Sequence, residues 1–327
     1  MSAVSDPIEY PGIDPEMAAA MMQSRSLLPE GKLDVTKAPI SQVREQYARE
    51  RRYWNEDGPE MARTEDGAIP GPHGEIPLRL YYPAAAAEAA EALPLMFYFH
   101  GGGFVYGGIE THDRISRWVA ERLGAAFCSV DYRLAPEHKF PTPIDEAIAV
   151  LDWAAGNAGE LGIDAARIGM GGDSAGAAIS LATAYSLKQA GRADVLKLLV
   201  LVYGNYGLKE SQSIALYGGP EYGLSDANRK FYRASYVGTD PKLHEDKRLN
   251  LLAADLSGVP ACHIAAAEMD PLCDNSPALA EKLDEAGVAN TCTIYPGVLH
   301  GFLHLTRMVA KSRQALDDAG DAIAAGL

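Results

Sequence analysis

The chain has 327 residues, enough for one large α/β domain or two smaller ones. Hydrophobic residues make up 47% and charged residues 22%, ordinary globular usage that supports a large buried core and excludes disorder as the main state. The net charge of −15, from 44 acids against 29 bases, repels nucleic-acid phosphates and anionic lipid, so neither is an expected partner.

The first sixty residues predict helices. "DPEMAAAMMQSRSLL" carries Asp14 as N-cap and Pro15 at the first helical position, and "SQVREQYARERRYW" follows with Ser41 as a cap. The opening "MSAVSDPIEYPGID" has no basic start and no apolar h-region, so no signal peptide is expected. No run approaches the roughly 18 apolar residues of a membrane span. A soluble, reduced, cytoplasmic protein is the expectation.

Strands come next. "ARTEDGAIPG" and "GEIPLRLYYP" predict an antiparallel pair joined through Gly71-Pro72-His73-Gly74. The alanine-rich stretch Ala84 to Ala92 predicts a surface loop or short helix. "LPLMFYFH", Leu93 to His100, is a continuous apolar run, as expected of a strand covered on both faces. "AAFCSVDYR", "RIGMGG", "LKLLVLVYG", "ACHIAAAE" and "TCTIYPG" extend the series. Helical patterns lie at His112 to Leu123, Thr142 to Ala155, Ala175 to Gln189, Ser276 to Ala286, and from Arg307 onward. About eight strands alternating with helices predict an α/β fold with one doubly wound, mostly parallel sheet. From Tyr203 to Pro260 the strand signal vanishes, too long an interval for a structureless loop. It is expected to form a lid with the N-terminal helices. The expected division is 1–60 and 204–260 as two parts of a helical cap, and 61–203 with 261–327 as the core.

Among the four cysteines no CxxC pair occurs, which gives a zinc site no support. Cys128, Cys262 and Cys292 lie in strand-like apolar runs and are expected to be buried; Cys273 is expected near the surface.

Gly172-Asp173-Ser174-Ala175-Gly176 is G-x-S-x-G, between a short apolar strand and a helix. That is the context of a nucleophile elbow, in which small neighbours permit a strained serine and the helix N-terminus favours negative charge. A P-loop would need a lysine here, and Gly169, Gly171 and Ser174 give only G-x-G-x-x-S in place of a dinucleotide fingerprint. Upstream, "HGGGF" follows a strand, where three glycines let backbone N–H groups meet an anion unobstructed. Gly102, Gly103 and Ala175 are the expected oxyanion donors, with His100 and Gly101 supporting the loop. His300 lies past the last strand with Gly301 behind it, and Asp270 ends the strand before it. The order Ser174, Asp270, His300 suits a nucleophile, orienting acid and base at the strand ends. Asp274 is the rival acid, but it is expected to begin the next helix. His304 has no neighbouring ligand in the sequence and is expected to be structural.

With "THD", "VDYRLAPEHKFP", "GGDSAG", "EMDPLCD" and "HGF" in this order, the chain from about Arg63 onward resembles the hormone-sensitive-lipase-like esterases of the α/β-hydrolase fold. The resemblance implies an eight-stranded sheet, a helical cap, and carboxylesterase activity on short acyl esters with Ser174, Asp270 and His300 as the triad. It also implies a possible homodimer. "DYRLAPE", Asp131 to Glu137, is expected to support the elbow. Two departures stand out: Ala177 where the family has glycine, and "YGNYG" where it has Tyr-Pro. Met21, Met22, Phe104, Asp173, Tyr206 and Phe231 are candidate pocket residues, and no cofactor or metal is expected. The alternatives are an amide, carbamate or lactone hydrolase with the same triad, a non-catalytic small-molecule receptor, and a dinucleotide-binding enzyme. His300 argues against the receptor.

Overall fold

The computed structural model describes residues 11–87 and 91–327. The first ten residues of the opening segment and residues 88–90 of the alanine-rich stretch lie outside the described residues. In chain order the elements are α1 (Pro15–Ser26), α2 (Ile40–Asn55), β1 (Arg63–Gly71), β2 (Gly74–Tyr82), α3 (Ala84–Ala87), β3 (Leu93–Phe99), α4 (Ile109–Leu123), β4 (Ala126–Val130), α5 (Thr142–Gly156) and α6 (Ala158–Leu161). There follow β5 (Ile163–Asp173), α7 (Ala175–Gln189), β6 (Leu198–Val202), α8 (Gln212–Tyr217), α9 (Asp226–Val237), β7 (Ala261–Met269), α10 (Asn275–Glu285), β8 (Asn290–Leu299) and α11 (Ala310–Gly326).

The eight strands form one sheet in the order β1-β2-β4-β3-β5-β6-β7-β8. β1 and β2 form the expected antiparallel hairpin, closing from Gly71 to Gly74, and β2 is also antiparallel to β4. The remaining neighbours are parallel. Side chains alternate across a strand, so an apolar run with no polar interruptions needs cover on both faces. In β3, Leu95, Phe97 and Phe99 enter one core while Met96 and Tyr98 enter the other. In β6, Leu199 and Leu201 face the first core, and Leu198, Val200 and Val202 the second. Ile144 and Leu151 of α5, Ile179 of α7 and Leu279 of α10 complete the first. Ile115 and Val119 of α4 and Leu316 and Ile323 of α11 complete the second. Every parallel strand therefore delivers its C-terminal end to the same side of the sheet.

Asp14 caps α1 as expected, its carboxylate accepting from the N–H groups of Glu16 and Met17. Ser41 does not cap α2: that helix begins at Ile40 after Pro39, which leaves Ser41 inside the first turn. Cys128, Cys262 and Cys273 are buried and Cys292 is exposed. The expectations for Cys273 and Cys292 are thus reversed. β8 is an edge strand whose residues 291–294 stand exposed, whereas Cys273 sits in the turn packed beneath the end of β7. No helix among the described residues is long and apolar enough to cross a membrane.

Both N-terminal helices are tied to the body. Trp54 at the end of α2 is 1% exposed in the second core, and its indole N–H donates to Ser24 Oγ of α1 at 3.1 Å. Trp54→Ala removes that ring and the link together. It is expected to lower unfolding stability by about 3–5 kcal/mol in urea denaturation.

Candidate active site

β5 ends at Asp173 and α7 begins at Ala175, so Ser174 occupies the turn between them with φ 52° and ψ −111°. This is a strained conformation for an L-residue, held because the surroundings over-determine it. The Ser174 N–H still pairs with Val202 O at 2.8 Å, which extends the ladder of β6 into the elbow. The flanking glycines are required by space. A Cβ on Gly172 would stand 2.0 Å from the Phe99 carbonyl oxygen, and one on Gly176 only 1.7 Å from it. The elbow and the end of β3 meet backbone to backbone.

That contact sets the next loop beside the serine. Gly102 and Gly103 have φ of +121° and +60°, and a Cβ on either would strike Tyr106 O or the Tyr232 ring. Among the described residues, no hydrogen-bond partner is found for the N–H of Gly102 or Gly103. The Ala175 N–H opens a helix, where geometry supplies no intrahelical acceptor. Three N–H groups of these two segments are therefore without an acceptor among the described residues. The Gly101 N–H is different: it donates to Asp173 Oδ1 at 2.7 Å.

His300 follows β8 and Asp270 follows β7. His300 Nε2 lies 2.9 Å from Ser174 Oγ, and its Nδ1 lies 2.6 Å from Asp270 Oδ2. Asp270 is fully buried and its Oδ1 accepts the Leu272 N–H at 2.8 Å. The carboxylate is thus fixed by its own turn, and it selects the His300 tautomer that has a bare Nε2 facing the hydroxyl. Asp274 is turned away. It precedes α10, and its Oδ2 accepts the Ser213 N–H at 2.8 Å.

Of the other candidates, His100 Nδ1 bonds to Gly101 O at 2.8 Å, and its own carbonyl accepts the Tyr132 hydroxyl at 2.8 Å. Tyr132 also stacks on the His100 ring, with centroids 4.3 Å apart. The "DYRLAPE" segment therefore braces the glycine loop rather than the elbow. Ala135 N–H donates to Phe104 O, and Glu137 pairs with Arg44 of α2, whose Nε–H donates to Val105 O at 2.7 Å. Phe104 has φ 67° and stacks on Tyr236 of α9 at 3.8 Å. Phe231 and Met21 are partly buried against the two cores. Met22, Tyr206 and Asp173 depart from the pocket expectation. Met22 is exposed on α1, and Tyr206 is fully buried in the first core, with its N–H donating to Asn275 Oδ1. Asp173 points down beneath the loop, where it accepts from Gly101, Tyr98 and Tyr203.

The sequence reading missed Tyr203, Tyr98 and His112. Tyr203, at φ 38°, sets its ring 4.8 Å from that of His300 and its hydroxyl 3.2 Å from Asp173 Oδ2. Its place at the end of β6, beside the crevice, was the available signal. His112 stands 3.5 Å from Asp173 and beside His304, so the neighbours that His304 lacked in the sequence are supplied by the fold.

Residues 96–304 match the family model described as the alpha/beta hydrolase fold, and the chain belongs to that family. It is 37% identical over 305 residues to an acetyl esterase of Salmonella choleraesuis, covering 93% of this chain and 91% of the relative. Among solved structures, an ester hydrolase from the metagenome of Lake Arreo, complexed with a bipyridine phosphonate derivative, is 36% identical with a TM-score of 0.89. That similarity covers 96% of this chain and 98% of the other. A hyperthermophilic esterase from the archaeon Pyrobaculum calidifontis is 32% identical with a TM-score of 0.88, again over 96% and 98%. The chain is a carboxylic ester hydrolase of the hormone-sensitive-lipase-like kind.

Two consequences can be measured. Gly176→Ala drives a methyl into the Phe99 carbonyl, so a stability loss of about 1–3 kcal/mol or more is expected, with esterase activity falling alongside. Burial also pushes the His100 imidazole from near 6.5 down to about 4. Between those values the unfolded chain binds a proton that the folded chain does not, so this contribution to stability is lost as pH falls from 6.5 towards 4. The expected slope is up to about 1.4 kcal/mol per pH unit. Comparing urea denaturation of the native chain with His100→Gln from pH 7 to pH 5 checks it, and parallel profiles would contradict it.

Proposed function

We propose that the chain hydrolyses short-chain acyl esters through an acyl-enzyme formed on Ser174, with His300 as base and then acid and Asp270 as its orienting partner. The observation that carries this reading is the continuous line from Asp270 Oδ2 to His300 Nδ1, and from His300 Nε2 to Ser174 Oγ, at 2.6 and 2.9 Å. A serine hydroxyl is a weak nucleophile until a base takes its proton, and Nε2 is within reach to do so. As Oγ attacks the ester carbonyl, negative charge develops on the carbonyl oxygen. The N–H groups of Gly102, Gly103 and Ala175 are the donors we assign to it, at the N-terminus of α7 where negative charge is favoured. Asp270 stabilises the imidazolium that forms. His300 then protonates the departing alcohol, and a water molecule attacks the acyl-enzyme by the same route.

Short substrates are supported by the surroundings. The described residues of the 1–60 segment and residues 204–260 form the two parts of a cap in this reading, with α2 and α9 above the glycine loop. A separate cavity of about 30 Å³ between α2 and α9, lined by Tyr47, Tyr106, Asn228 and Tyr232 among others, touches none of the triad residues. Tyr106 and Tyr232 share a hydrogen bond at 2.8 Å, and the Tyr232 ring crowds Gly103. The named Salmonella relative is an acetyl esterase, and acetyl is a small acyl group.

Ser174→Ala is expected to lower kcat for p-nitrophenyl acetate by on the order of 10⁶-fold, and near-normal turnover would overturn the assignment. Asp270→Asn is expected to cost about 10⁴-fold through the wrong imidazole tautomer. Asp274→Asn should cost far less, and the reverse ranking would exchange the two acids. Across p-nitrophenyl esters of increasing acyl length, kcat/KM should fall as the chain outgrows the space under Tyr232.

A further inference from the structure

Beneath the glycine loop lies a second constellation, which ester hydrolysis as derived above does not use. His112, Asp173 and His304 each offer a ligand atom, and these atoms lie within 4.8 Å of one another. All three side chains are buried, His112 completely. They come from α4, the end of β5 and the turn after β8, so only the folded chain assembles them.

The hydrogen bonds around His112 bear on its tautomer. The Thr111 hydroxyl donates its one hydrogen to Gly108 O at 2.9 Å. Thr111 Oγ1 can then only accept from His112 Nδ1, 2.8 Å away, and the other neighbour of Nδ1 is again the Gly108 carbonyl, at 3.3 Å. With the hydroxyl so engaged, Nδ1 carries the proton and Nε2 presents a bare lone pair; with the hydroxyl turned to Nδ1, Nε2 carries it instead. That Nε2 has no hydrogen-bond partner among the described residues, and it faces Asp173 Oδ1 at 3.5 Å. In the first arrangement two acceptors confront each other in a dry site, which is costly unless a cation or a donor lies between them. At metal–ligand distances of roughly 2.0–2.1 Å, ligand atoms 3.5 Å apart subtend about 117°, close to the tetrahedral angle. One His304 ring nitrogen would complete a set of two imidazoles and one carboxylate when the three donors, now within 4.8 Å of one another, close to the roughly 4.2 Å that one ion can span; Tyr47 Oη stands 3.3 Å from His304 Nε2. Nitrogen and carboxylate donors in this number suit zinc and its neighbours rather than magnesium or calcium.

We propose that His112, Asp173 and His304 bind one divalent transition-metal ion of the zinc class, and that its binding inhibits ester hydrolysis. The inhibition arm rests on the oxyanion assignment above; the binding arm does not. Asp173 Oδ1 already accepts from the Gly101 N–H and from the Tyr98 hydroxyl, both at 2.7 Å. An ion that takes this carboxylate competes with the Gly101 bond, which holds the loop carrying Gly102 and Gly103. Losing one oxyanion donor costs about 10²–10³ in kcat, and loosening the loop is expected to cost from roughly tenfold up to that range.

The test uses the full-length, untagged, chelator-treated chain titrated with Zn²⁺ and, separately, Co²⁺. Metal content is measured after desalting, alongside hydrolysis of p-nitrophenyl acetate. The expected result is uptake of about one equivalent, a loss of kcat larger than any change in KM, and recovery with EDTA. His304→Gln and His112→Gln should each abolish uptake. His300→Ala should retain it, which separates this site from an ion on the triad. If the histidine variants do not fold, the visible spectrum of the Co²⁺-loaded native chain decides. Intense bands of a four- or five-coordinate nitrogen and oxygen site support the proposal, and the weak bands of hydrated Co²⁺ overturn it. No saturable uptake, uptake unchanged in both histidine variants, or uptake lost in His300→Ala would overturn the site, leaving a bridging water as the occupant. One bound equivalent with full activity would overturn the coupling to the loop.

Discussion

The site depends on one close approach, between the carbonyl of Phe99 at the end of β3 and the backbone of Gly172 and Gly176 around the elbow. Neither position has room for a Cβ. With the two main chains in contact, the residues after Phe99 turn onto Asp173, beside which Gly101 is packed. The loop's position is therefore not a matter of flexible glycine but of packing between two adjacent parallel strands, β3 and β5. Asp173 completes the joint, because the residue next to the nucleophile also receives the Gly101 N–H.

A buried carboxylate needs partners, and besides the Gly101 N–H Asp173 finds them in two tyrosines from other strands. Tyr98 comes from β3 and Tyr203 from the end of β6, while His112 of α4 stands 3.5 Å away without a hydrogen bond. The same tyrosine that serves Asp173 from β6 lies against the His300 ring. The polar layer below the nucleophile thus links the glycine loop, the elbow and the base. In a low-dielectric interior, a network of this kind rigidifies its members when satisfied and is costly where a member lacks a partner. His112 Nε2 is the member that lacks one.

Much of the architecture was legible because its signals are local. The apolar runs of β3, β4 and β6 are continuous over both faces, and the elbow and glycine motifs sit at the ends of such runs. Asp270 and His300 could be chosen because each ends a strand or lies just past one. What failed was of another kind. Cys292 has strand-like neighbours, but burial depends on whether β8 lies inside the sheet or at its edge, which no window of sequence contains. Tyr206 was a candidate pocket residue, but the fold buries it in the first core beside Asn275, 69 residues away, which accepts its N–H. Asp173 was legible as a neighbour of the nucleophile but not as the anchor beneath the loop, since its donors include Tyr98, 75 residues distant.

By itself the sequence determined the fold class, the turn that presents Ser174, and the identity of the groups able to act on it. Periodicity and small-residue spacing act over a few residues, and those features need nothing more. Tertiary structure decided which acid meets His300, which donors stay free for a ligand, and that His112, Asp173 and His304 share one buried site. Those outcomes depend on strand order and on helices folding back across the sheet, so their partners are brought together by packing alone.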